Sequence, residues 1–291
     1  VGISTITSTA PRAYAIADRV RAAGVPVIMG GPHVTYLTEE ALDHADFVIR
    51  GEGEDALAAF IDARERGVDY AAVPNLSYRD ADNAGAVVHN PMRPPCGDLD
   101  RLPFPDLSLL RPDRIGPRTL PSIPVQTSRG CPFDCSFCSV TGMFGRKFRF
   151  RSTENVIEEL KRYDSRKNII FFYDDNFAAD PKRTKALCEA MLRERFKFRW
   201  TTQVRADVAR DPELIRLMKK AGCHTLFIGF ESVNPRSLED MKKKQTVDEL
   251  IHAAKVLRRN RIHIHGMFVL GFDQDDWATV KKTVRFAKKI R

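Results

Sequence analysis

The chain alternates short β-rich apolar runs with helical patterns, and this alternation restricts its fold more than any other feature. In residues 1–60 the apolar runs are VGISTIT, VPVIMGG and DFVIRGEGE, and a helical pattern follows each of them. Such a series predicts an α/β fold with a parallel sheet of doubly wound type, which binds ligands at the carboxyl ends of its strands. We expect the helices at about residues 11–23, at about 37–44 and from Asp55.

A second βα series begins after Pro124 and has longer units. Its five strands are PVQTS, NIIFFYDD, FRWTTQVRA, HTLFIGFES and IHIHGMFVLGF. Asp211 and Asn234 are each followed by proline, as helix N-caps often are, and Thr246 with Glu249 matches a capping box. Gly222 marks a helix end. The series predicts a TIM-type barrel or a partial version of one, with its site at the carboxyl ends of the strands.

A proline-rich stretch separates the two series. Around NPMRPPCGDLDRLPFPD the prolines are too closely spaced for a helix, so we predict a connector packed over a domain surface. The expected organisation is therefore a truncated doubly wound domain at residues 1–65, the connector at 66–122 and the partial barrel at 123–291.

Three of the six cysteines, Cys131, Cys135 and Cys138, lie together directly after the first strand of the second series. A structural zinc site would need a fourth ligand from a second cysteine pair or from histidines, and six unevenly placed cysteines do not form a disulfide framework. Three thiolates on one loop suit an iron-sulfur cluster of cubane type, in which one iron has no protein ligand. That iron could bind a substrate or a cofactor.

The motif CxxxCxxC, with an aromatic residue before its last cysteine, resembles the signature of the radical S-adenosylmethionine (SAM) superfamily. The resemblance implies that Cys131, Cys135 and Cys138 hold a [4Fe-4S] cluster and that SAM chelates the free iron. It further implies that an electron from the cluster, supplied by an external donor such as flavodoxin or ferredoxin, cleaves SAM to a 5'-deoxyadenosyl radical. Phe137 would pack near the adenine.

Asp174, Asp175 and Asn176 follow the second strand of the barrel series. They stand where the superfamily has a glycine-glycine-glutamate motif that holds the SAM amino group, so the resemblance makes them SAM contacts. Their sequence departs from that motif, which leaves open which of the three binds SAM. The alternative interpretation is an N-cap and turn cluster before the next helix.

Gln203 and Arg205 are two residues apart, so both side chains lie on one face of the third strand. By resemblance they meet the SAM ribose and carboxylate, and Glu231, after the fourth strand, is a further SAM candidate. The alternative is an internal ion pair of Arg205 with Asp207 or Glu231.

The first series resembles the latter half of a cobalamin-binding domain. GISTITST followed by VPVIMGGPH places Ser4, Gly30 and Gly31 near two strand ends, where the resemblance implies that they cradle the nucleotide tail of cobalamin. The DxHxxG segment of classical cobalamin domains is not present in this chain. Either the chain is cut from a longer protein or it belongs to a subfamily without a histidine ligand to cobalt. A scaffold that binds nothing is the alternative.

Together these resemblances predict a cobalamin-dependent radical SAM enzyme that transfers a methyl group to an unactivated carbon of a small-molecule or lipid substrate. In the implied mechanism the adenosyl radical abstracts a hydrogen atom from the substrate and methylcobalamin donates the methyl group. Two alternatives stay open. One is a radical SAM cyclase, a rearrangement or another C–H functionalising reaction without methyl transfer. The other is a cobalamin or redox sensor with a structural cluster.

The formal net charge of +9 invites a nucleic-acid interpretation. Lysine and arginine are, however, interspersed with acidic residues on the predicted helices, as in EELKRYDSRK, which favours solvated helix faces. No apolar run approaches the length of about 18 residues that a membrane span needs, and no signal peptide is recognisable. We therefore expect a cytoplasmic protein. Because the chain opens with Val1 in a strand and closes in a helix, we also expect a segment of a longer protein.

Overall fold

The computed structural model describes residues 1–110 and 122–290. The chain forms two compact units. The front unit comprises Val1–Gly97 and Gly142–Gly145, and the barrel unit comprises Asp98–Thr141 and Arg146–Arg291.

The front unit contains a single five-stranded sheet among its described residues. In order across the sheet, its strands are β1 (Gly2–Ser4), β2 (Ile28–Gly30), β3 (Phe47–Ile49), β4 (Leu76–Asp80) and β5 (Ala86–His89). The pairs β1–β2 and β2–β3 are parallel, whereas β3–β4 and β4–β5 are antiparallel. The parallel part is the doubly wound series that the sequence predicted.

The helices of the front unit follow the predicted pattern closely. They are α1 (Ala10–Ala22), α2 (Pro32–Tyr36), α3 (Thr38–His44) and α4 (Glu54–Arg66). Alanines of α1, such as Ala13 and Ala17, pack against Met29 and Val48 of the sheet in the core. Small side chains on this face of α1 let the helix lie close to the strands.

The structure differs from the predicted connector in residues 66–97. The β4–β5 hairpin falls inside that stretch and extends the front sheet, so the front unit continues beyond residue 65 to Gly97. The dense run of prolines begins only at Pro91, after the hairpin, so it does not interfere with strand pairing. Residues 111–121 of the predicted connector lie outside the described residues.

The barrel unit contains β6 (Ser122–Val125), β7 (Ser128–Arg129), β8 (Arg149–Phe150), β9 (Ile169–Phe172), β10 (Arg199–Val204), β11 (Cys223–Glu231) and β12 (His263–Phe268). Its main sheet has the order β12-β11-β10-β9-β6, and every neighbouring pair is parallel. The small strands β7 and β8 pair antiparallel with each other. The prediction of five parallel strands in a partial barrel is confirmed.

Helices connect the strands of the barrel unit. They are α6 (Thr153–Leu160), α7 (Pro181–Arg193), α8 (Pro212–Lys220), α9 (Pro235–Asp240), α10 (Val247–Arg259) and α11 (Trp277–Ile290). The short α5 (Val140–Phe144) comes before them in the chain, and from Gly142 onward its residues are counted with the front unit. Alternate strand residues face these helices, among them the fully buried Phe172 and Trp200. The indole N–H of Trp200 donates to the carbonyl of Ala221 (2.8 Å), which satisfies its one polar atom in the core.

The predicted helix signals are confirmed in the barrel unit. Asp211 accepts from the N–H of Leu214, and Asn234 accepts from that of Arg236. Thr246 and Glu249 form both hydrogen bonds of the capping box. These caps fix where each helix starts after its loop, and thereby fix the loops at the carboxyl ends of the strands.

Across residues 1–110 and 122–290, no helix combines the length and the apolar composition that spanning a membrane requires.

Candidate functional site

The three clustered cysteines lie on the loop between β7 and α5, beyond the carboxyl end of β6. Cys131, Cys135 and Cys138 are all partly exposed free thiols. The N–H of Cys138 donates to the carbonyl of Cys135 (3.1 Å), so the last two cysteines share one tight turn. Partial burial is the largest factor that raises the pKa of the Cys131 and Cys138 thiols. We call residues 130–139 the cysteine loop.

Asp174 holds the chain at the start of the cysteine loop. Its carboxylate is fully buried and accepts from the N–H of Thr127 (2.6 Å), from the N–H of Ser128 (3.1 Å) and from the Thr127 hydroxyl. Arg183 donates from Nη2 to the carbonyl of Thr127 (3.1 Å). Asp174 therefore has both oxygens engaged and no exposed surface. This geometry is not the N-cap and turn cluster of the alternative interpretation, because the partners are distant in sequence and Asp180 caps α7. The predicted contact of Asp174 with SAM stays a prediction.

Asp175 and Asn176 differ from Asp174 in their surroundings. Asn176 is nearly buried, and its carbonyl accepts from the N–H of Ala179 (3.1 Å), a turn of the kind that the alternative interpretation predicted. Asp175 is only partly buried. Burial, followed by the neighbouring charge of Asp174, raises the pKa of Asp175 from 3.8 to about 6. The negative charge of Asp175 also reaches the thiols of Cys131 and Cys138.

The raised pKa of Asp175 gives a testable pH dependence of stability. The pKa of Asp175 in the folded protein lies above its value in the unfolded chain. The free energy of unfolding therefore decreases as pH rises from about 4 to about 6, and this contribution is constant at higher pH. For cofactor-free protein we expect Asp175→Asn to increase the free energy of unfolding at pH 7 by about 2 to 3 kcal/mol and to leave it nearly unchanged at about pH 3. Urea unfolding at both pH values measures this. An equal effect at both values would contradict the prediction.

The segment Asp240–Gln245, which we call the tether segment, connects α9 to α10 and contacts the cysteine loop through its backbone. Ser136 donates from its N–H to the carbonyl of Met241 (3.2 Å) and from its hydroxyl to the carbonyl of Asp240 (3.0 Å). Arg205 donates to the carbonyl of Lys243 (2.6 Å). Asp174 thus holds the chain just before the cysteine loop, and the tether segment holds the loop at its centre.

Glu231 and Lys243 form a buried ion pair at the carboxyl end of β11. Lys243 Nζ lies 2.7 Å from Glu231 Oε1, and their side chains are 6% and 9% exposed. Glu231 has a left-handed backbone (φ 60°) and lies where the β11–β12 register shifts. The Lys243 ammonium lies 6.0 Å from the ring centre of Phe137, in the cysteine loop. Lys243 is not recognisable as a site residue from the sequence, because it stands in a run of three lysines that indicates a solvated surface.

Arg205 follows β10 and is also buried. Its Nε lies 3.4 Å from Asp207 Oδ2, so the internal ion pair with Asp207 is present, whereas Glu231 pairs with Lys243 instead. Its guanidinium lies 3.7 Å above the ring of Phe133, and its Nη1 lies 3.9 Å from Cys135 Sγ. The predicted contact of Arg205 with SAM stays a prediction.

Phe137 and Gln203 complete the set of predicted SAM contacts. Phe137 is 40% exposed and meets Phe272 edge-on, with 6.3 Å between ring centres. Gln203 is half-buried at the end of β10, and its carbonyl accepts from the N–H of Phe177 (3.0 Å), next to Asn176. A partly exposed aromatic ring in the cysteine loop is a candidate surface for stacking of a flat ring.

The donor set of the cysteine loop fits an iron-sulfur cluster. Among residues 1–110 and 122–290, no three His, Cys, Asp or Glu side chains converge as a single metal ion would require. A cubane cluster does not need such convergence, because each thiolate binds a different iron. Soft thiolate ligands on one partly exposed loop match this requirement.

The predicted cobalamin residues come together in the front unit. Ser4 pairs with Gly30 across β1 and β2. Gly31 has φ 99°, and a Cβ there would lie 2.6 Å from the carbonyl oxygen of Thr5, so this position requires glycine. All three line a cavity of about 510 Å³ whose other walls include Ile28, Met29 and Leu57. The cavity has the size and the mixture of apolar side chains and bare backbone that suits a flat organic group.

Two family models match the chain. The model described as the radical SAM superfamily matches residues 125–287, and that described as the B12 binding domain matches residues 1–61. Each match falls on one series of strands and helices. The radical SAM match contains the cysteine loop, the tether segment and the ends of β9 to β11.

The chain is similar to several curated proteins. It is 36% identical to an uncharacterized methyltransferase of Pyrococcus horikoshii, covering 100% of this chain and 64% of that protein. It is 31% identical to the bacteriochlorophyllide d C-12(1)-methyltransferase of Chlorobaculum tepidum, covering 100% and 60%. It is 29% identical to the anaerobic magnesium-protoporphyrin IX monomethyl ester cyclase of Rubrivivax gelatinosus, covering 99% and 54%. The chain therefore spans between about half and two thirds of these relatives.

A solved structure shares the fold. The cobalamin-dependent SAM radical enzyme OxsB, with aqua-cobalamin and SAM bound, superposes with a TM-score of 0.82 at 21% identity, over 98% of this chain and 43% of that chain. The arrangement of strands and helices described above is thus the fold of that enzyme's corresponding part.

Proposed function

Because this chain belongs to the radical SAM superfamily and its first residues match the B12 binding domain, we propose that the protein is a cobalamin-dependent methyltransferase acting on an unactivated carbon. The cofactors of these two families are a [4Fe-4S] cluster with SAM, and cobalamin. When bound, the cluster supplies the electron that cleaves SAM to a 5'-deoxyadenosyl radical, and cobalamin supplies the methyl group. The substrate is a small molecule, and an external reductant is required.

The cysteine loop is the observation that carries this proposal. Cys131, Cys135 and Cys138 are free, partly exposed and on one loop, which leaves one iron of a cubane cluster without a protein ligand. Asp174 and the tether segment fix that loop through backbone hydrogen bonds at two points. A preformed loop avoids the entropy cost of ordering three ligands when the cluster binds.

We assign the SAM contacts from charge and position. SAM carries an ammonium, a carboxylate and a flat adenine. Asp175 supplies a negative charge that contributes to the raised pKa of the Cys131 and Cys138 thiols, and it would hold the ammonium. Lys243, oriented by Glu231, would meet the carboxylate, and the partly exposed ring of Phe137 would contact the adenine. The uncharged side chain of Gln203 would contact the ribose of SAM.

In the front unit, the cavity beside Ser4, Gly30 and Gly31 would hold the nucleotide tail of cobalamin. The backbone of the two glycines can approach the tail closely, while Ile28 and Leu57 provide an apolar surface for its ring. The function of these residues is to bind and orient the cofactor, and the reaction itself belongs to the cofactor.

Filling this cavity should block cobalamin without unfolding the protein. A Cβ at Gly30 meets nothing closer than the carbonyl oxygen of Ile49 at 3.9 Å, so Gly30→Leu fits the backbone but occupies the cavity. We expect at least a tenfold loss of cobalamin affinity, measured by absorbance after gel filtration. Gly97→Leu is the matched control, because a Cβ there meets open space outside the cavity. Equal affinities of both variants would contradict the assigned site.

Anaerobic reconstitution tests the whole proposal. The full chain is loaded with iron, sulfide and methylcobalamin, reduced, and assayed for 5'-deoxyadenosine from SAM. In parallel, an anaerobic host that expresses the protein is fed deuteromethyl-labelled methionine, and metabolites that gain the label are sought by mass spectrometry. Labelled metabolites absent from a host with the triple Cys131, Cys135 and Cys138 alanine variant would support methyl transfer.

Ring formation is the second candidate function, because one of the relatives is a cyclase. The two reactions differ in their products, since a cyclisation transfers no methyl group. Formation of 5'-deoxyadenosine together with a metabolite that changes mass without gaining the label would favour the cyclase. We further propose a cytoplasmic location, because thiols that bind a cluster need a reducing compartment.

A further inference from the structure

Arg205 directs one end of its guanidinium at a predicted cluster ligand. Its Nη1 lies 3.9 Å from Cys135 Sγ, and the residue is 7% exposed. We propose that Arg205 is a positioning residue that donates a hydrogen bond and positive charge to the Cys135 thiolate and thereby raises the reduction potential of the cluster. This inference rests on the proposed ligation of the cluster by the three cysteines.

Three other contacts hold the guanidinium in this orientation. Nη2 donates to the carbonyl of Lys243 (2.6 Å), Nε lies near Asp207 Oδ2 (3.4 Å), and Cζ lies over the ring of Phe133, 3.7 Å from its centre. Because the guanidinium is rigid and planar, fixing two of its nitrogens also fixes the third. Nη1 is therefore aimed at Cys135 by the tether segment and by the loop after β10.

The charge of a reduced cluster explains why this contact matters. One-electron reduction by an external donor adds a negative charge to the cluster and its thiolates. A buried cation that donates to a ligand sulfur stabilises the reduced form more than the oxidised form, and hydrogen bonds to sulfur are among the factors that set cluster potentials. Removing Arg205 should therefore make the cluster harder to reduce.

The inference competes with the contact of Arg205 with SAM that the resemblance implied. A SAM contact would affect SAM affinity and would leave the SAM-free cluster unchanged. A donor to Cys135 acts before SAM is added. The midpoint potential of the SAM-free cluster thus separates the two roles, and it does not depend on turnover.

The test is a redox titration of the reconstituted full chain without SAM, monitored by electron paramagnetic resonance. We expect Arg205→Gln to lower the equilibrium constant for reduction about tenfold, which is about 59 mV for a one-electron couple. Arg205→Lys keeps the positive charge but loses the planar set of N–H donors, so it should give a smaller decrease in the midpoint potential. Arg199→Gln is the matched control, because it removes the same charge from the opposite end of β10 and should leave the potential unchanged.

Each outcome decides the question. Equal potentials for Arg205→Gln and the parent protein overturn the inference, and weaker SAM binding in that variant would then support the SAM contact. If Arg205→Gln takes up no cluster, Arg205→Lys decides by the same comparison: a lowered potential supports the inference and an unchanged one overturns it. A parent protein that assembles no cluster refutes the proposed cysteine ligation itself, and the inference with it.

Discussion

Alanine at any one of Cys131, Cys135 and Cys138 should abolish SAM cleavage. Each thiolate is expected to bind one iron, and the loop offers no replacement, because the other three cysteines, Cys96, Cys188 and Cys223, lie elsewhere in the chain. We expect loss of the cluster absorbance and a decrease in 5'-deoxyadenosine to the level without enzyme. Iron and sulfide analysis after anaerobic reconstitution measures the first, and chromatography of the reaction measures the second.

Cys188→Ala is the control for this experiment. Cys188 is fully buried in α7, so its loss costs stability, about 1 kcal/mol, but removes no ligand. The variant should bind a full cluster and cleave SAM. Retention of a four-iron cluster by a variant that lacks two of the loop cysteines would contradict the proposed ligand set.

Lys243→Met should strongly destabilise the barrel unit. The substitution leaves Glu231 buried without its partner, and breaking a buried ion pair from one side costs about 3 to 5 kcal/mol. We expect urea unfolding of the cofactor-free protein to show a loss of this size. SAM binding to the reconstituted protein, measured by equilibrium dialysis, should weaken in parallel, because the ammonium is the proposed partner of the SAM carboxylate.

A double variant separates the two roles of Lys243. In Lys243→Met with Glu231→Met, no charge is left unpaired, so most of the lost stability should return. SAM binding should remain weak, since both polar groups are gone. If the double variant recovered SAM binding together with stability, the ion pair would be structural only. Lys242→Met is the surface control, because Lys242 is the neighbour of Lys243 in the chain and its side chain is exposed.

The order of elements could be predicted because its signals are local. The caps at Asp211 and Asn234 and the capping box at Thr246 each depend on residues within one turn, and all three form as expected. The hairpin at Leu76–Asp80 and Ala86–His89 was missed, because the prolines around it dominated the pattern. Its first strand, β4, pairs with β3, which lies about thirty residues earlier in the chain, and β5 pairs only with β4.

The candidate site was less predictable, because several of its contacts join residues that are distant in sequence. The cysteines are recognisable because their spacing within one loop carries the chemistry. Lys243 and Asp174 acquire their roles only through partners distant in sequence, namely Glu231 and the backbone of Thr127 and Ser128. A run of lysines does not indicate which ammonium is buried, because burial depends on the fold of the tether segment.

The backbone contacts of the tether segment also determine which mutations this region can accept. Ser136 and Arg205 bind carbonyl oxygens of Asp240, Met241 and Lys243, and every residue type offers a carbonyl. Substitution of an exposed side chain such as that of Asp240 should therefore leave the contacts of the cysteine loop intact. A single inserted or deleted residue would instead shift every carbonyl away from its donor. In sequence evolution, the length of this segment and its buried residues Met241, Lys243 and Gln245 should therefore be constrained, whereas its exposed residues should vary.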